Sequence, residues 1–397
     1  MITVLLNALA STAGGGVTYL RNVLPKLSRC NDSYRFFVLV PAEHLSDYSR
    51  FSGERVSIET IQSVNKLFGR LFWEQTGLRS YIRRRKIDVL ISLGNFALFA
   101  SPVPQILFNR NDLYFSPFFA KDLQARGLYC ELMRHRLKSF LARASVNQAD
   151  INITPTRAFA NRIGNANRAN NRRFQVLLFG FDLDAFTANK APLASEQAAK
   201  LNLSENCYRI LYVSNYNYFR NFETLIRALP IVRDEIRRKE AKDIQLVLTT
   251  DIRRGAVYGG YDSTQAAALI EELEVDGNIA MLGTVPHDKL HQVYRQCDLF
   301  VCPSYAESFS HPLVEAMAMG LPVIAANLDV HREVCGEAAV YFDVFDERQL
   351  AKRCVEALRT PWLRENLRRT GSERIRKFSW DQHLQGLIAL VERAAAK

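Results

Sequence analysis

Short apolar runs alternate with longer amphipathic stretches along almost the whole chain. A continuous apolar run is typical of a strand buried on both faces, and a longer amphipathic stretch is typical of a crossover helix. The alternation therefore predicts parallel sheets covered by helices. The predicted strands are Ile2–Asn7, Phe36–Val40, Asp88–Ser92, Gln105–Phe108, Asp150–Ile153, Arg209–Val213, Gln245–Thr249, Ile279–Leu282, Leu299–Cys302 and Val323–Ala325. The predicted helices include Thr18–Ser28, Asn221–Ile236, Asp288–Gln296 and Glu347–Leu358.

These elements form two series, which indicates two domains. The chain has 397 residues, and a domain usually takes roughly 100–200. The stretch 186–207 is polar, rich in alanine and without strand character. We therefore predict an N-terminal domain over residues 1–185, a linker over 186–207 and a C-terminal domain over 208–379.

The chain is basic, with 52 Lys and Arg against 41 Asp and Glu and a net charge of +11. Such an excess favours a polyanionic partner, either nucleic acid, an anionic membrane surface or a phosphate-rich ligand, while a merely solvated basic surface is the structural alternative. The seven cysteines are scattered and show no Cys-x-x-Cys spacing. This argues against a disulfide scaffold or a zinc site and favours a reducing compartment.

The start of the chain has the apolar character of a signal peptide, but no basic residue precedes its apolar run and Asn7 interrupts that run. We interpret it as a buried first strand that ends in the glycine loop 14–16. This loop is not the dinucleotide-binding G-x-G-x-x-G, because Tyr19 stands at the third glycine position. A tight strand–helix turn is its structural alternative. No apolar run reaches the roughly 18 residues of a membrane helix, so we expect a cytoplasmic protein.

The most informative segment is 298–327, DLFVCPSYAESFSHPLVEAMAMGLPVIAAN. It predicts a buried strand, a polar loop over Pro303–His311 and a short apolar helix over Leu313–Met319. Pro312 suits the first helical turn, and Gly320 suits the left-handed position after the helix. In open α/β folds, ligands bind at such a loop, beyond the carboxyl ends of the strands. The helix start also favours a phosphate group.

Two carboxylates frame this helix, Glu307 in the loop and Glu315 in the first turns. On a continuous helix their eight-residue separation would span about 12 Å. We therefore expect them to hold two parts of one elongated ligand rather than to act as a close acid–base pair. Carboxylates accept hydroxyl hydrogen bonds, as sugar and ribose binding requires. For Glu315 the structural alternative is a carboxylate that offsets the helix dipole.

Residues 307–325, ESFSHPLVEAMAMGLPVIA, resemble the E-x7-E segment of the family 4 retaining glycosyltransferases, which have the GT-B fold. The residues that match in register are Glu307, Phe309, Pro312, Glu315, Ala316, Met317, Ala318, Gly320, Pro322 and Val323. Further resemblances lie at 14–16, 149–156, 176–186, 212–229, 330–343 and 378–394, so the likeness covers nearly the whole chain.

The resemblance implies two Rossmann-like parallel-sheet domains that face a central cleft. The N-terminal domain would take the acceptor, the C-terminal domain would bind the nucleotide-sugar, and the closing helix within 380–397 would pack back on the first domain. Asn111 and Asp112 stand where many members have His-Asp, and we place them on the acceptor side.

The resemblance also implies roles for individual donor-site residues. Arg220 would clamp the diphosphate, Glu307 would bind the donor-sugar hydroxyls, and Glu315 would hold the ribose. Arg220 and Glu307 are therefore the predicted catalytic residues. The backbone amides that would line the sugar and phosphate belong to Ser308, Phe309 and Ser310, and Gly15 and Gly16 would let the first domain approach the donor.

The chain departs from the family pattern at several of these positions. Ser308 and Ser310 replace two glycines, which adds side chains beside the sugar. Arg220 replaces lysine, which keeps the charge and changes its geometry. A second basic residue that some members carry near Ser214 is absent. These departures bear on the identity of the donor.

Two further patterns imitate functional motifs. Asp182-Leu183-Asp184 imitates a D-x-D metal motif, but it lies within the matched stretch 176–186 and we interpret it as structural. We expect no metal and no cofactor. The basic run Arg83–Lys86, with Arg79 one turn earlier, is either a solvated helix face or a contact with anionic lipid.

The expected function is that of a retaining glycosyltransferase. It would move a hexose from a UDP- or GDP-sugar to the hydroxyl of a glycan or lipid-linked acceptor in cell-surface polysaccharide synthesis, without nucleic acid. Its location would be cytoplasmic, with peripheral docking on the inner face of the membrane as a variant. The alternatives are a nucleotide-sugar 2-epimerase on the same fold, a basic nucleic-acid-binding protein and a non-catalytic sugar-binding homologue.

Overall fold

The computed structural model describes residues 1–12, 14–61, 67–167, 174–201 and 203–396. Contacts divide the chain into two units. The first contains Met1–Gly180 together with Phe378–Lys397, and the second contains Phe181–Lys377.

The first unit is built on a seven-stranded sheet in which every strand pair is parallel. Its strands are β1 Ile2–Asn7, β2 Tyr34–Leu39, β3 Val56–Glu59, β4 Val89–Ser92, β5 Gln105–Phe108, β6 Ile151–Thr154 and β7 Phe174–Val176. Their spatial order is β3-β2-β1-β4-β5-β6-β7. The helices are α1 Gly15–Leu27, α2 Leu45–Ser49, α3 Leu67–Arg85, α4 Phe119–Ala125, α5 Tyr129–Gln148 and α6 Arg157–Asn167.

The second unit contains a six-stranded parallel sheet. Its helices are α7 Leu183–Phe186, α8 Ser195–Ala199, α9 Phe222–Glu240, α10 Thr264–Glu272, α11 Leu290–Tyr294, α12 His311–Ala318, α13 Asp329–Cys335, α14 Glu347–Arg359 and α15 Pro361–Arg374. Its strands are β8 Cys207–Tyr212, β9 Asp243–Leu248, β12 Ile279–Met281, β13 Leu299–Cys302, β14 Val323–Ala326 and β15 Ala339–Phe342, in the order β12-β9-β8-β13-β14-β15. A small hairpin pairs β10 Val257–Tyr258 with β11 Tyr261–Asp262.

The apolar runs form the centre of both sheets. Strands β4, β5, β13 and β14 are buried at every position, because helices cover both faces of a parallel sheet. The predicted α/β class with two parallel-sheet domains is confirmed.

The last helix, α16 Trp380–Ala395, packs on the first unit. Trp380 lies so close to Gly180 that a Cβ on Gly180 would stand 2.1 Å from the Trp380 backbone nitrogen. A Lys26 Nζ–Asp381 ion pair of 2.5 Å and a hydrogen bond from the Tyr34 hydroxyl to Glu392 secure the helix further.

The structure corrects the predicted linker over 186–207. This stretch lies inside the second unit, which begins at Phe181. Its polar side chains bond to that unit, since Asn189 Nδ2 donates to Asp288 over 2.7 Å and Gln197 Nε2 donates to the Leu282 carbonyl over 3.1 Å. The polar composition of 186–207 is therefore explained by its hydrogen bonds to the second unit and does not mark a linker.

The residues predicted to start and end α12 have these roles in the structure. The helix begins at His311, Pro312 lies in its first turn, and Gly320 has φ 72°. Leu321 N bonds to Ala316 O over 2.9 Å and Gly320 N bonds to Met317 O over 3.1 Å. This pair of bonds is the Schellman arrangement that ends a helix with a left-handed glycine.

No helix in the described parts of the chain is both long enough and apolar enough to cross a membrane.

Candidate functional site

Both sheets have a point at which the strand order reverses, and ligands of open α/β folds bind outside the carboxyl ends of the strands at this point. In the second sheet the reversal lies between β8 and β13. The loop after β8 leads to a 3₁₀ turn, Tyr218–Arg220, and the loop after β13 carries Glu307. The topology therefore places the two predicted catalytic residues at the same edge of the sheet.

Arg220 and Glu307 are in direct contact there. Arg220 Nη1 donates to a Glu307 carboxylate oxygen, and also to Ser304 Oγ over 3.4 Å. Both residues are largely buried, with side-chain exposures of 25% and 9%. Burial opposes the charged form of Arg220, but the Glu307 carboxylate together with Tyr212 and Cys302 raises the pKa of Arg220 above its usual value. A fixed cation and a fixed anion thus share one site.

Hydrogen bonds from neighbouring residues hold the two loops together. The Tyr212 hydroxyl donates to the Arg220 carbonyl over 2.9 Å and lies 3.0 Å from Ser304 Oγ. Asn221 Nδ2 donates to the Pro303 carbonyl over 3.0 Å, and Asn221 itself has φ 57°. Asparagine tolerates this left-handed conformation better than most residues, so Asn221 can both turn the chain and link the loops.

The start of α12 shows why glycine is usual at position 310. Ser310 immediately precedes the helix and has φ 70°, a region that costs an ordinary side chain roughly 1–2 kcal/mol. Its Oγ lies 3.8 Å from Cys302 Sγ. Ser308, Phe309 and Ser310 follow Glu307 directly, so the predicted sugar-lining amides belong to this same loop.

Glu315 lies on the buried face of α12 with two partners that sequence analysis did not connect to it. Tyr294 donates its hydroxyl proton to Glu315 Oε2 over 2.9 Å, and His287 Nε2 donates to Oε1 over 3.2 Å. Burial and the adjacent carboxylate raise the pKa of Tyr294 well above its usual value. His287 is 39% exposed at its side chain. Tyr294 is the last residue of α11, and His287 lies in the turn just before that helix. No sequence spacing relates either residue to Glu315.

Cys302, Glu307 and His331 offer three ligand atoms within 4.8 Å of one another, a set that could hold a metal ion. Two features oppose this. The Glu307 carboxylate is already neutralised by Arg220, and burial raises the pKa of Cys302 to about 11, so the thiol stays protonated near neutral pH. Thiol ligands bind metals as thiolates. The expectation of no metal therefore remains a prediction.

In the first unit the strand order reverses between β1 and β4, and the glycine loop follows β1. A Cβ on Gly16 would stand 2.9 Å from the Ser11 backbone, so only glycine fits there. Arg110, which sequence analysis missed, donates to Ser11 Oγ over 2.9 Å and to the Leu93 carbonyl over 2.8 Å. Burial lowers the pKa of Arg110 to about 10, which still leaves it cationic at neutral pH.

The two predicted acceptor-side residues serve local structure. Asn111 Oδ1 accepts from Leu113 N over 3.0 Å, and the buried Asp112 forms an ion pair with Arg162. A separate small pocket of the first unit is lined by residues that include Asn7, Arg70 and Glu74. Asn7 Nδ2 donates to Glu74 over 3.0 Å, and burial raises the pKa of Glu74. Glu74 is a second residue that the sequence did not single out.

Comparisons with known proteins agree with the second-unit geometry. Residues 194–374, which include Arg220, Glu307 and Glu315, match the family described as glycosyl transferases group 1. Over this range, which makes up most of the second unit, the chain is similar to group 1 glycosyl transferases. An O-antigen chain mannosyltransferase B of Escherichia coli is 28% identical over 171 residues, which cover 43% of this chain and 42% of that protein. The chain spans about half the length of the curated relatives it matches.

Solved structures extend the likeness in fold beyond the group 1 domain. Sucrose-phosphate synthase from Thermosynechococcus elongatus superposes with a TM-score of 0.73 at 17% identity, over 100% of both chains. Anabaena HepE in complex with UDP-glucose superposes with a TM-score of 0.67 at 17% identity, over 98% of this chain and 100% of that one. The chain therefore has the GT-B type of fold, and its match to the group 1 family lies within the second unit.

Proposed function

We propose that the protein is a glycosyltransferase that moves a hexose from a nucleotide-diphosphate sugar to an acceptor hydroxyl. The observation that carries this proposal is the contact between Arg220 and Glu307 at the reversal point of the second sheet. This contact places a largely buried cation and a buried carboxylate within the range that matches the group 1 family. A nucleotide-sugar needs both groups, because it carries negative charge and many hydroxyls.

Arg220 has the hydrogen-bonding capacity that a diphosphate requires. Its Nε is buried and has no partner among the described residues, and orphaned buried donors are rare in folded proteins. A guanidinium offers five donors in a planar fork that matches phosphate oxygens. We assign Arg220 to the donor diphosphate, whose negative charge grows as the anomeric C–O bond breaks.

The two carboxylates then divide the rest of the donor. Glu307 holds Arg220 in position and retains acceptor capacity for sugar hydroxyls, since a carboxylate has about four acceptor sites. Glu315, fixed by Tyr294 and His287, holds the ribose. Ser308, Phe309 and Ser310 present backbone amides to the sugar and phosphate, and Gly15 and Gly16 of the first unit allow backbone approach to the donor.

We further infer transfer with retention, by the mechanism that the family 4 resemblance implies, with no metal and no cofactor. The leaving diphosphate accepts the proton of the acceptor hydroxyl on the same face, and the protein supplies position and charge stabilisation. The donor is a UDP- or GDP-hexose. This choice is supported by a mannosyltransferase among the relatives and by UDP-glucose in a structure of the same fold.

The acceptor is proposed to be a glycan or a lipid-linked intermediate of cell-surface polysaccharide synthesis, with Asn111 and Asp112 on the acceptor side. A lipid-linked acceptor would bring the enzyme to an anionic membrane surface. The basic run Arg83–Lys86 is exposed at the end of α3 and remains one candidate for that contact. Arg79 does not extend it, because its Nη2 donates to the Phe99 carbonyl over 2.6 Å.

A thermal-shift screen with UDP, GDP and ADP and their sugars tests the proposal, followed by a search for glycosylated product. At a ligand concentration 100 times Kd, specific binding adds about 2.7 kcal/mol of apparent stability. No shift with any nucleotide would reject the donor site. Nucleotide release without a glycosylated product would favour the 2-epimerase, and salt-sensitive retention of oligonucleotides would favour the nucleic-acid-binding alternative. Nucleotide-sugar binding without turnover would favour the non-catalytic homologue.

A further inference from the structure

Helix α5 carries a row of large apolar side chains on its solvent-facing side. Tyr129 is 65% exposed, Met133 62%, Leu137 52% and Phe140 67%. The spacing of three or four residues places all four within an arc of roughly 80° and along about 17 Å of helix. We call these four residues the α5 stripe.

The α5 stripe is not part of the core, because the opposite side of the helix already fills that role. Leu132, His135, Ala142 and Val146 are buried on that side. The His135 ring packs edge-on against Phe119 at 4.9 Å between centroids. Helix α5 therefore has one apolar face that packs on the first unit and a second one exposed to solvent.

Positive charge borders the α5 stripe on one side. The helix has Arg134, Arg136, Lys138 and Arg143 against a single Glu131. Arg136 and Arg143 are exposed and border the stripe on one side, as the helical spacing requires. Burial, together with Arg134 and Arg70, lowers the pKa of Lys138, and burial with Lys138 and Arg143 lowers that of His135 to about 4. An anionic partner would offset this excess of basic residues on the helix.

We propose that the α5 stripe is a docking surface for an anionic phospholipid bilayer. An apolar face bordered by arginines is the arrangement of a helix that lies in the membrane interface. Tyr129, Met133, Leu137 and Phe140 insert among the lipid head groups, while Arg136 and Arg143 contact lipid phosphates. The inference concerns vesicle binding and does not depend on the proposed glycosyl transfer.

A second copy of the chain fits this surface less well than a bilayer does. Two α5 stripes in contact would bring their bordering arginines together, which is unfavourable for like charges. A bilayer satisfies both the apolar row and the charge.

The α5 stripe differs from the basic run Arg83–Lys86. That run has charge but no apolar side chain of its own, and Arg85 is already bound to Glu59 over 2.6 Å. It can contribute electrostatic attraction, at about 1 kcal/mol for each basic residue near an anionic surface. The run Arg83–Lys86 has no apolar side chain that could insert into a bilayer. Neutralising it should therefore weaken only the electrostatic attraction, whereas removing the α5 stripe should abolish insertion.

Co-sedimentation of the full chain with vesicles tests the proposal. The vesicles are phosphatidylcholine mixed with phosphatidylglycerol, with pure phosphatidylcholine for comparison. The double variant Met133→Ser and Phe140→Ser should bind the mixed vesicles at least about tenfold more weakly. The matched control is Val257→Ser with Trp362→Ser, which removes exposed apolar side chains of the second unit, 63% and 70% exposed, and should bind as the wild type does. Unchanged thermal unfolding confirms that all variants are folded.

A variant that removes charge tests the proposed lipid-phosphate contacts independently of the apolar side chains. Arg136→Gln with Arg143→Gln should weaken binding and reduce its dependence on salt, because it removes lipid-phosphate contacts. The proposal is overturned if the wild type ignores the mixed vesicles or if the stripe variant binds as tightly as the wild type. It is also overturned if only neutralising Arg83–Lys86 abolishes binding. A lipid-free dimer that the stripe variant converts to monomer would overturn it in favour of an interface between copies.

Discussion

At the scale of single residues, the contact between Arg220 and Glu307 is the basis of the proposed donor site. The two side chains are 87 residues apart in the chain, and each is buried beside the other. A buried ion pair is a costly element of stability, but it fixes both charges before the ligand arrives. Such preorganised charge stabilises a transition state more than the ground state.

The first prediction concerns Arg220→Ala. It should lower kcat/KM by about 10²- to 10³-fold, the usual loss for one preorganised charge-stabilising group. Arg220 is largely buried, so its loss leaves Glu307 unpaired and costs roughly 3–5 kcal/mol of stability. Steady-state kinetics below the unfolding transition provide the measurement.

Further variants separate turnover from stability. Arg220→Met combined with Glu307→Gln removes both charges, so it should recover stability without recovering turnover. Arg220→Lys restores a cation and should recover part of the rate. Arg359→Ala removes a surface partner of Glu240 and should change kcat/KM little, since surface pairs contribute about 0–1 kcal/mol. Less than about a tenfold loss for folded Arg220→Ala would rule out the diphosphate role.

The second prediction concerns Glu315→Gln. The amide oxygen can still accept from Tyr294, so the fold is kept, but the charged acceptor for the ribose hydroxyls is lost. The affinity for the free nucleoside diphosphate should fall by about 10- to 150-fold, the range for a hydrogen bond to a charged group. Titration calorimetry measures it.

Glu307→Ala is the matched comparison for Glu315. It removes the sugar contact and leaves Arg220 available to phosphate, so free diphosphate should bind nearly as in the wild type while transfer is lost. Unchanged nucleotide affinity in Glu315→Gln, or equal losses in both variants, would refute the division between ribose and sugar.

At the scale of elements, the central strands and the α12 segment were predictable, and three of the four edge strands were not; the edge strand β12 was predicted. Strands β1, β5 and β13 begin and end as predicted. The strands β3, β7 and β15 were missed, and each lies at a sheet edge with half-exposed positions. An edge strand need not be a continuous apolar run, so the pattern that reveals a central strand fails there. The hairpin over β10 and β11 was also missed, although Gly259-Gly260 is a recognised turn signal.

The same distinction applies to the site. Glu307 and Glu315 could be singled out because a short helix and its flanking turns impose a local spacing. The partners Ser304, Tyr294 and His287 could not, because they approach from other elements and depend on which strands are neighbours. Arg110 and Glu74 in the first unit could not be predicted for the same reason, because their polar partners lie on other segments of the chain.

The third prediction concerns His383 on α16. Burial lowers its pKa from the usual 6.5 to about 4, and its Nδ1 lies 2.9 Å from the Leu178 carbonyl. Because the folded pKa is the lower one, the unfolded chain binds more protons between these values. Stability is therefore present above pH 6.5 and is lost as the pH falls toward 4, by roughly 3 kcal/mol.

His383→Gln should flatten this pH dependence in thermal unfolding recorded from pH 7 to pH 4. Glutamine can still donate to the Leu178 carbonyl, so stability at neutral pH changes less than its slope. The control is His44→Gln, since the pKa of His44 is raised and its contribution has the opposite sign. An acid-induced loss that persists unchanged in His383→Gln would contradict the assignment.

At the scale of the whole molecule, the chain leaves its first sheet, builds the second unit and returns. The division after Gly180 and the return at Phe378 give each unit its own core, which lets domains fold and respond separately. The sequence showed two series of elements, but composition placed the boundary too late, because the polar stretch after residue 186 is bonded to the second unit. A boundary set by contacts is not visible in composition.

The fourth prediction uses this division. Trp380 is buried in the first unit, with its ring 5.9 Å from Phe179 and 6.0 Å from Tyr19. Trp380→Ala should cost about 3–5 kcal/mol, as large-to-small core substitutions do, and lower the unfolding temperature of the first unit by roughly 10 °C. The second unit keeps its own core, so its affinity for a nucleoside diphosphate should be unchanged at low temperature.

Scanning calorimetry with and without the nucleotide checks both parts of this prediction. The nucleotide should raise only the transition of the second unit, and Trp380→Ala should lower only the other one. Trp362→Ala is the control, because Trp362 is 70% exposed and its removal should move neither transition. A loss of nucleotide affinity in Trp380→Ala, measured well below both transitions, would show that nucleotide binding depends on the core of the first unit. The assignment of the diphosphate and the ribose to residues of the second unit would then be wrong.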